Sequence, residues 1–384
     1  MMRLANRTAF GRGGPPLAPA WLPAAGSIVD VSTNTINDVK GSDTSTPAIF
    51  NAWSGVAWAP WWGDYGSMLF SGGGHSDGME NSVYRYDVGT QLISKIIEPA
   101  TSYVYGIYNA DPITGWMWAN TSGSAVQEGQ PFAAHFYSHL MALPASAFPG
   151  DGGVNGYLYT PSRTAMALDG NNGTNQPQKL RLGLDTLWTH AGLRPGFSAE
   201  NGFGVYDSLR NRVWSLKNDT ALAFDYRDLT AGAFGSATHT GPNAGGYYCV
   251  GGYHAAEDCV MYARMVSSTL ILGVFDPVTN VFTKPSSSGV APTGSDGAFD
   301  WSDVWNAWVY WPGNGGNTVY FLKAPANPRT GTWVWSSQTV TGISRVGTTW
   351  PQYNRIRHCA ALGDVLLWVP NYNVPMQGIH VTAP

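Results

Sequence analysis

FNAWSGVAWAPWWGDYGSMLFSGGGHSDGMENSVYRYDVGTQLISKI, from Phe50 to Ile96, reads as four short strands in succession. An apolar run ends at Trp58, the chain turns through Trp62, Gly63 and Asp64, and it returns as Met68, Leu69 and Phe70. After the break at Gly72, Gly73 and Gly74, Val83, Tyr84 and Tyr86 alternate with polar positions, Asp87 to Gln91 turn, and Leu92 to Ile96 close the unit. One such sheet cannot bury both of its faces alone, so copies must stack around an axis.

Copies follow. The first hairpin returns as FGVYDSLRNRVWSL (Phe203 to Leu216), YHAAEDCVMYARM (Tyr253 to Met265), FDWSDVWNAWVYW (Phe299 to Trp311) and RIRHCAALGDVLLWV (Arg355 to Val369). The second returns as LAFDYRDLTAGAF (Leu222 to Phe234), LGVFDPVTNVF (Leu272 to Phe282) and VYFLKAPANPRTGTWVW (Val319 to Trp335). Asp87, Asp225 and Asp276 are read as opening their turns, each fixing the strand register through a side-chain bond to backbone two residues on. Unit starts lie about 45 to 55 residues apart, the length of a four-stranded propeller blade. Between 98 and 198, His135 to Ser146, Tyr157 to Leu168 and Leu180 to Gly192 make one embellished blade, and Tyr105 to Asn120 is an extra hairpin or a blade of its own. The expected fold is all-β, a propeller of six blades, or seven if that hairpin counts. The last unit has only three strands, the third at Met376 to Val381, whereas Gly26 to Ser32 alternates as a strand with no local partner. Pairing the two closes the ring and removes two free edges.

The pattern GGGHSDG, six residues, then YRYD resembles the bacterial kelch or galactose-oxidase-type propeller units, and RIRHCAALGDVLLWV is similar to that family's final blade. The likeness covers roughly residues 50 to 384 and implies the kelch-like propeller. That family includes oxidases, lyases, glycan readers and interaction platforms, so fold does not select a function. Its oxidase branch implies a copper-radical site with a cysteine-linked tyrosine and paired late histidines. The only late cysteine here is Cys359 beside His358, with no paired-histidine segment after it, and no copper or other cofactor is expected.

Composition narrows the classes. The 384 residues include 47 glycines, 25 prolines and 17 tryptophans, which suits short strands and many turns. Charged residues are 12% and the net charge is −4, without blocks, which argues against a nucleic-acid partner. No stretch approaches a membrane span. The N-terminal run MMRLANRTAFGRGG carries Arg3, Arg7 and Arg12, no acid, and no apolar core of the kind a secretory signal has. Synthesis in a cytoplasm without export by that route is the expectation. Residues 1–25, including PPLAPAWLPAAG with Trp21, are read as an extended tether arm, and 26–384 as the propeller.

Candidate site residues are few. His75, Asp77 and Glu80 follow the glycine triplet, but one imidazole and two acids without a second histidine suit turn-fixing better than a metal. His135 and His139 lie about 13 Å apart if on one strand, too far to share an ion. His254, Arg357 and His358 are read as opening first strands that line a central channel, where an anion or neighbouring blades are the alternative partners. DGNNGTNQ, from Asp169 to Gln176, misses the calcium-loop spacing. Trp61 and Trp62, beside Gly63, are placed either for packing between blades or for stacking on sugar rings. Alternation sets Trp305 and Trp311 on one face of their blade and Trp308 on the other. Cys249 and Cys259 flank a turn and are either a pair or buried free thiols.

The leading expectation is a non-enzymatic structural or adhesive component of a bacteriophage virion, on capsid surface or tail, anchored by its arm to other virion proteins, with glycan as the candidate ligand of its propeller. Propellers with this GGGHSDG-type unit resemble ones encoded in phages and prophages. The alternatives are a carbohydrate-active oxidase or lyase, with a channel-mouth site around His135, His254, Arg357 and His358, and an intracellular kelch scaffold.

Overall fold

A computed structural model describes residues 18–40, 55–71, 82–98, 108–110, 117–119, 138–161, 177–186, 188–191, 202–216, 223–243, 248–293, 297–312, 316–343 and 352–384. Six antiparallel sheets succeed one another along the chain, and their first strands lie side by side. Blade 1 comprises Gly55–Ala59, Ser67–Ser71, Val83–Asp87 and Leu92–Ile97. Blade 2 comprises Met141–Leu143, Tyr157–Thr160, Gln178–Arg181 and Thr189–His190. Blade 3 runs from Phe203–Asp207 to Phe234–Thr238, and blade 4 from Val250–His254 to Val281–Thr283. Blade 5 runs from Ala298–Ser302 to Trp333–Thr339. Blade 6 begins with Ile356–Cys359, Val365–Trp368 and Gln377–His380. The hairpin Tyr108–Ala110 and Met117–Ala119 is a separate two-stranded piece, so the ring has six blades.

The ring closes as the sequence predicts. Ser27–Asp30 pairs antiparallel with Gln377–His380, from Ser27 opposite His380 to Asp30 opposite Gln377. Residues upstream continue onto the same blade: Pro23 O meets His380 Nδ1 at 2.7 Å, and Trp21 and Leu22 pack against the core between blades 6 and 1.

Because side chains on a strand alternate faces, each blade buries one set against each neighbour. Six apolar clusters result, one per seam. Trp305 and Trp311 lie in the cluster between blades 5 and 6, and Trp308 in that between blades 4 and 5, as alternation requires. The inner strand of blade 4 is squeezed from both sides: a Cβ on Gly251 would come within 2.3 Å of Val205, and one on Gly252 within 2.7 Å of Trp301.

Turn chemistry sets the registers. Asp276 Oδ1 accepts the backbone N–H groups of Val278 and Thr279 at 2.8 and 3.0 Å, and Asp87 Oδ1 that of Thr90 at 3.1 Å. Asp225 differs from expectation. It lies inside the strand Ala223–Asp228, and Asp228, three residues on, holds the turn through Thr230 and Ala231. Many of these turns end on a left-handed residue, Gln91, Asn211, Asp258, Asn280 or Asn306, where Asn and Asp are tolerated best.

The outer edges carry a second device. Ser287–Gly289 pairs parallel with the outer strand of blade 5, and Thr341–Gly342 with Ser27–Asp30 of blade 6. Thr240 bridges to Val281 of blade 4 in the same way. On blade 1 a side chain does this work: Asn34 Nδ2 donates to Ile93 O and Asn34 Oδ1 accepts from Ile93 N, both at 2.8 Å. The segment arriving from one blade thus covers the exposed backbone of the next before turning inward, which protects edges that would otherwise template aggregation. Each of the three parallel contacts has a glycine of positive φ, Gly241 directly after Thr240 and Gly289 and Gly342 at the ends of the paired pieces, whose missing Cβ would lie 2.1 to 2.5 Å from a strand carbonyl. Gly342→Ala is therefore expected to lower stability by clearly more than the ~1 to 2 kcal/mol of the left-handed backbone alone. Gly363→Ala, at φ 77° with nothing within 4 Å, supplies that reference in urea unfolding. Equal losses in the two variants are the result that rejects the edge-covering role.

Candidate functional site

The turns that join first to second strands, together with those that join third to fourth strands, lie at one end of the blades, and the polar candidates gather there. At each seam a hydrogen bond crosses from blade to blade. Trp61 Nε1 donates to Asn155 O at 2.8 Å between blades 1 and 2, and Asn211 Nδ2 to Ala147 O at 3.1 Å between blades 2 and 3. Between blades 3 and 4, Arg210 holds Asp258 with two N–H groups, at 2.6 and 2.5 Å, and Asp207 at 2.8 Å. Tyr253 O–H adds a bond to Asp258 at 2.8 Å, and the Arg210 pairing holds the Asp258 carboxyl below its ordinary value. Arg329 of blade 5 reaches back to Asp276 Oδ2 at 2.9 Å and to the carbonyls of Glu257 and Asp258.

Around blades 5, 6 and 1 the network is buried. Asp300, 6% exposed, accepts Arg357 Nη1 on Oδ1 and the His358 backbone N–H on Oδ2, both at 2.7 Å. Arg357 Nη2 donates to Val56 O, and Val56 N donates to Asn354 Oδ1 at 3.0 Å, so this arginine joins three blades. Burial raises the Asp300 carboxyl above its ordinary value even though Arg357 and the His358 N–H oppose the shift.

His358 is fixed in every direction. Its ring stacks on Trp305 at 3.7 Å, Nε2 meets Gly363 O at 2.8 Å, and Nδ1 meets Ser302 Oγ at 2.7 Å. A carbonyl only accepts, so the proton belongs on Nε2, and Nδ1 accepts from the Ser302 hydroxyl. Burial lowers its pKa, consistent with a neutral ring. His254 ends, rather than opens, the first strand of blade 4. It is buried beside the Asn306 side chain, 5.1 Å from the Trp301 ring, and burial lowers its pKa too. The charges of Asp303, Glu257 and Arg329 also act on it, and Asp303, at the surface, accepts Trp301 Nε1 at 2.8 Å.

For both histidines the folded value lies below the free value of about 6.5, so the unfolded chain takes the proton first. Their contribution to stability is complete above about pH 6.5 and is lost as pH falls toward the folded values. Urea midpoints are expected to drop between pH 7.5 and 5.5, and His254→Phe, which keeps an aromatic ring against Trp301, should shrink that drop. An unchanged pH slope in this variant counts against the assignment.

Trp62 lies under the Arg85 guanidinium, 4.0 Å from its ring centre, and with Trp61 borders the core between blades 1 and 2. Cys249, Cys259 and Cys359 are buried free thiols, each pushed up to about 12 by burial. The register sets Cys259 opposite His254 and leaves Cys249 beyond the far end of that strand. His75, Asp77, His135, Arg3, Arg7 and Arg12 lie outside the described residues, as does Asp169 to Gln176. Among the described residues no group of three His, Cys, Asp or Glu is placed to hold a metal, and no helix is long and apolar enough to cross a membrane. Arg357 and His358 thus share one network through Asp300, His254 belongs to the neighbouring seam, and Trp61 and Trp62 to a third. Asp300 was missed in the sequence because FDWSD reads as an ordinary alternating strand, and its partner Arg357 is 57 residues away.

No protein-family model matches the chain, and no curated protein matches it in sequence. Solved structures match in shape. A structural-genomics protein of unknown function from Bacteroides thetaiotaomicron superposes with a TM-score of 0.51 at 10% identity, over 91% of this chain and 74% of that one. A protein described as an auxiliary nutrient binding protein from the same organism gives 0.48 at 8% identity, over 92% and 75%. At such identities the likeness concerns fold alone, and by fold this chain belongs to the six-bladed β-propellers.

Proposed function

We propose that the protein is a non-enzymatic structural or adhesive component of a bacteriophage particle, on capsid surface or tail, tethered by its N-terminal arm and presenting the propeller to a glycan. The kelch-type likeness of GGGHSDG and YRYD belongs to the same proposal. The observation that carries it is how the arm meets the ring. Residues 18–25 lie on the closing blade, with Trp21 against the core between blades 6 and 1, so a chain bearing Arg3, Arg7 and Arg12 and no acid starts from a fixed point on a rigid body. The polar residues Arg357 and His358 serve as seam bonds, which suits a rigid display scaffold.

The test compares the full-length chain with one starting at Gly26, which keeps the closing strand, by light scattering after size-exclusion chromatography and by pull-down from the native source. Entry into a large assembly by the full-length chain alone is the expected result; two partnerless monomers overturn the proposal. A second reading, a carbohydrate-active enzyme, draws on His254, a buried imidazole on which the charge of Asp303 acts. Polysaccharide turnover that His254→Phe abolishes is the result that selects it.

A further inference from the structure

Three turns meet at the seam between blades 1 and 2: Pro60 to Tyr65, Asp151 to Gly156, and Leu182 to Asp185. They are tied into one surface. Trp61 Nε1 donates to Asn155 O at 2.8 Å, Asn155 Nδ2 to Leu182 O at 3.1 Å, and Leu182 N to Gly156 O at 3.0 Å. The tips of these turns are apolar and open: Pro60 is exposed, Val154 is 74% exposed and Leu184 52%. Trp61 and Trp62 stand half-buried beside them, so close that a Cβ on Gly156 would come within 2.8 Å of Trp61 and one on Gly183 within 3.6 Å of Trp62.

This seam differs from the others at the same end. Arg210 and Asp258 join blades 3 and 4, Arg329 and Asp276 join blades 5 and 4, and Arg357 and Asp300 join blades 6 and 5, whereas among the described residues no ion pair crosses between blades 1 and 2. Its charges are matched within each blade, Arg85 with Asp87, Lys179 with Asp151 and Arg181 with Asp185. Asp64, exposed in the first turn, enters no ion pair among the described residues. The Arg85 guanidinium lies over the Trp62 ring, so the patch offers aliphatic tips rimmed by charge, the make-up of a protein contact rather than of a sugar platform.

The arm carries the matching chemistry and leaves from the same end. The closing strand Ser27–Asp30 starts opposite His380, where the third strand of blade 6 finishes, so Gly26 and the residues before it lie with these turns. Residues 1–17 include Arg3, Arg7 and Arg12 and no acid, interleaved with Met1, Met2, Leu4 and Phe10. At full extension they reach about 55 Å. Gly11, Gly13 and Gly14 supply a joint, and Pro15, Pro16 and Pro19 a stiff stem, which favours a site on a neighbour over one on the same ring.

We propose that this patch receives residues 1–12 of a second copy of the chain, with Leu4 and Phe10 against Pro60, Val154 and Leu184 and an arginine at Asp64. The inference rests on the tethering role proposed for the arm and names its partner. Arm and patch are different surfaces, so the contact is heterologous: it closes reciprocally in a pair or continues from copy to copy.

The test uses the full-length protein with the photoreactive p-benzoylphenylalanine in place of Phe10. After isotope-labelled and unlabelled chains are mixed and irradiated, cross-linked peptides are expected to join a labelled arm to an unlabelled turn at 60–64, 151–156 or 182–185. By light scattering the wild type should have double the monomer mass or more. Val154→Glu combined with Leu184→Glu, both at exposed tips, should weaken self-association at least about 10-fold while near-ultraviolet circular dichroism stays unchanged. Replacing Arg3, Arg7 and Arg12 by serine should weaken it by a smaller factor and remove its dependence on salt. Cross-links confined to single chains, cross-links to other surfaces, or a wild type that is monomeric at every concentration each overturn the inference. A patch variant still recovered in a large assembly from the native source leaves the particle proposal standing and removes this contact. Purified copies that join through the patch, with no other partner in the native source, do the reverse.

Discussion

A chain lacking residues 1–31 is expected to lose its cooperative thermal transition and to aggregate, although every residue it lacks precedes the first blade. The strand Ser27–Asp30 is bonded on both sides, to Gln377–His380 and to Thr341–Gly342. Gly26 N donates to His380 O, Thr341 N to Gly26 O and Val31 N to Met376 O, at 2.7 to 2.8 Å. Ile28 is fully buried in the cluster between blades 5 and 6, and Val31 in the cluster between blades 6 and 1. Burying each side chain contributes about 1.5 to 3 kcal/mol and each hydrogen bond about 0.5 to 1.5 kcal/mol. Together they approach the ~5 to 15 kcal/mol that separates folded from unfolded in ordinary domains. The deletion also exposes two strand edges at once. A permuted chain, opened between Lys40 and Gly55 and carrying residues 26–40 after Pro384 through a flexible linker, should regain the transition, because the ring needs the strand rather than its place in the sequence. Circular dichroism melts of the three chains decide it; a deletion that melts within a few degrees of the full-length protein shows the ring closes without this strand.

Much of this was readable in the sequence because the repeat is carried by local chemistry. Turns such as Asp276 to Asn280 and Asp207 to Asn211 pair a turn-opening aspartate with an asparagine able to adopt positive φ, and flanking strands alternate with period two. Ring closure was legible from a count, a blade short of one strand and a strand short of a blade. The parallel edge pieces were not. Ser287–Gly289 and Thr341–Gly342 are too short to show any period, and their partners lie far along the chain or across the ring. Only the small hydroxyl residue before each glycine, Thr240, Ser288 or Thr341, marks them. The displaced turn at Asp228 has a similar cause, since YRD continues the strand's alternation past Asp225 with no breaker between. Site residues were hardest. Arg357 and Asp300 each look like the outward polar member of an alternating strand, but in a propeller both faces of a blade meet a neighbour, and only the neighbour decides whether the residue is bonded and buried.

Arg357→Ala is expected to cost about 3 to 5 kcal/mol, the loss typical of removing one partner from a buried ion pair. The Asp300 carboxylate would keep only the His358 N–H, and Val56 O would lose its donor from Arg357. The charge is what makes the loss large, and pH exposes it. Burial already raises the Asp300 pKa, and without Arg357 nothing of comparable strength opposes the rise. A carboxyl whose folded pKa exceeds its unfolded value favours the folded state below the unfolded pKa, and that advantage disappears as pH rises through the folded one. The deficit of Arg357→Ala relative to wild type should therefore shrink as the pH is lowered from 7.5 to 5. Adding Asp300→Asn should recover part of the loss at pH 7.5, because the amide oxygen still accepts the His358 N–H without a charge, and should leave the deficit nearly independent of pH. Urea unfolding of wild type, both single variants and the double variant, at both pH values, measures the coupling directly. A loss below about 1 kcal/mol in Arg357→Ala, or a deficit that ignores pH, would mean that water screens this pair and that the seam between blades 5, 6 and 1 is held by packing alone.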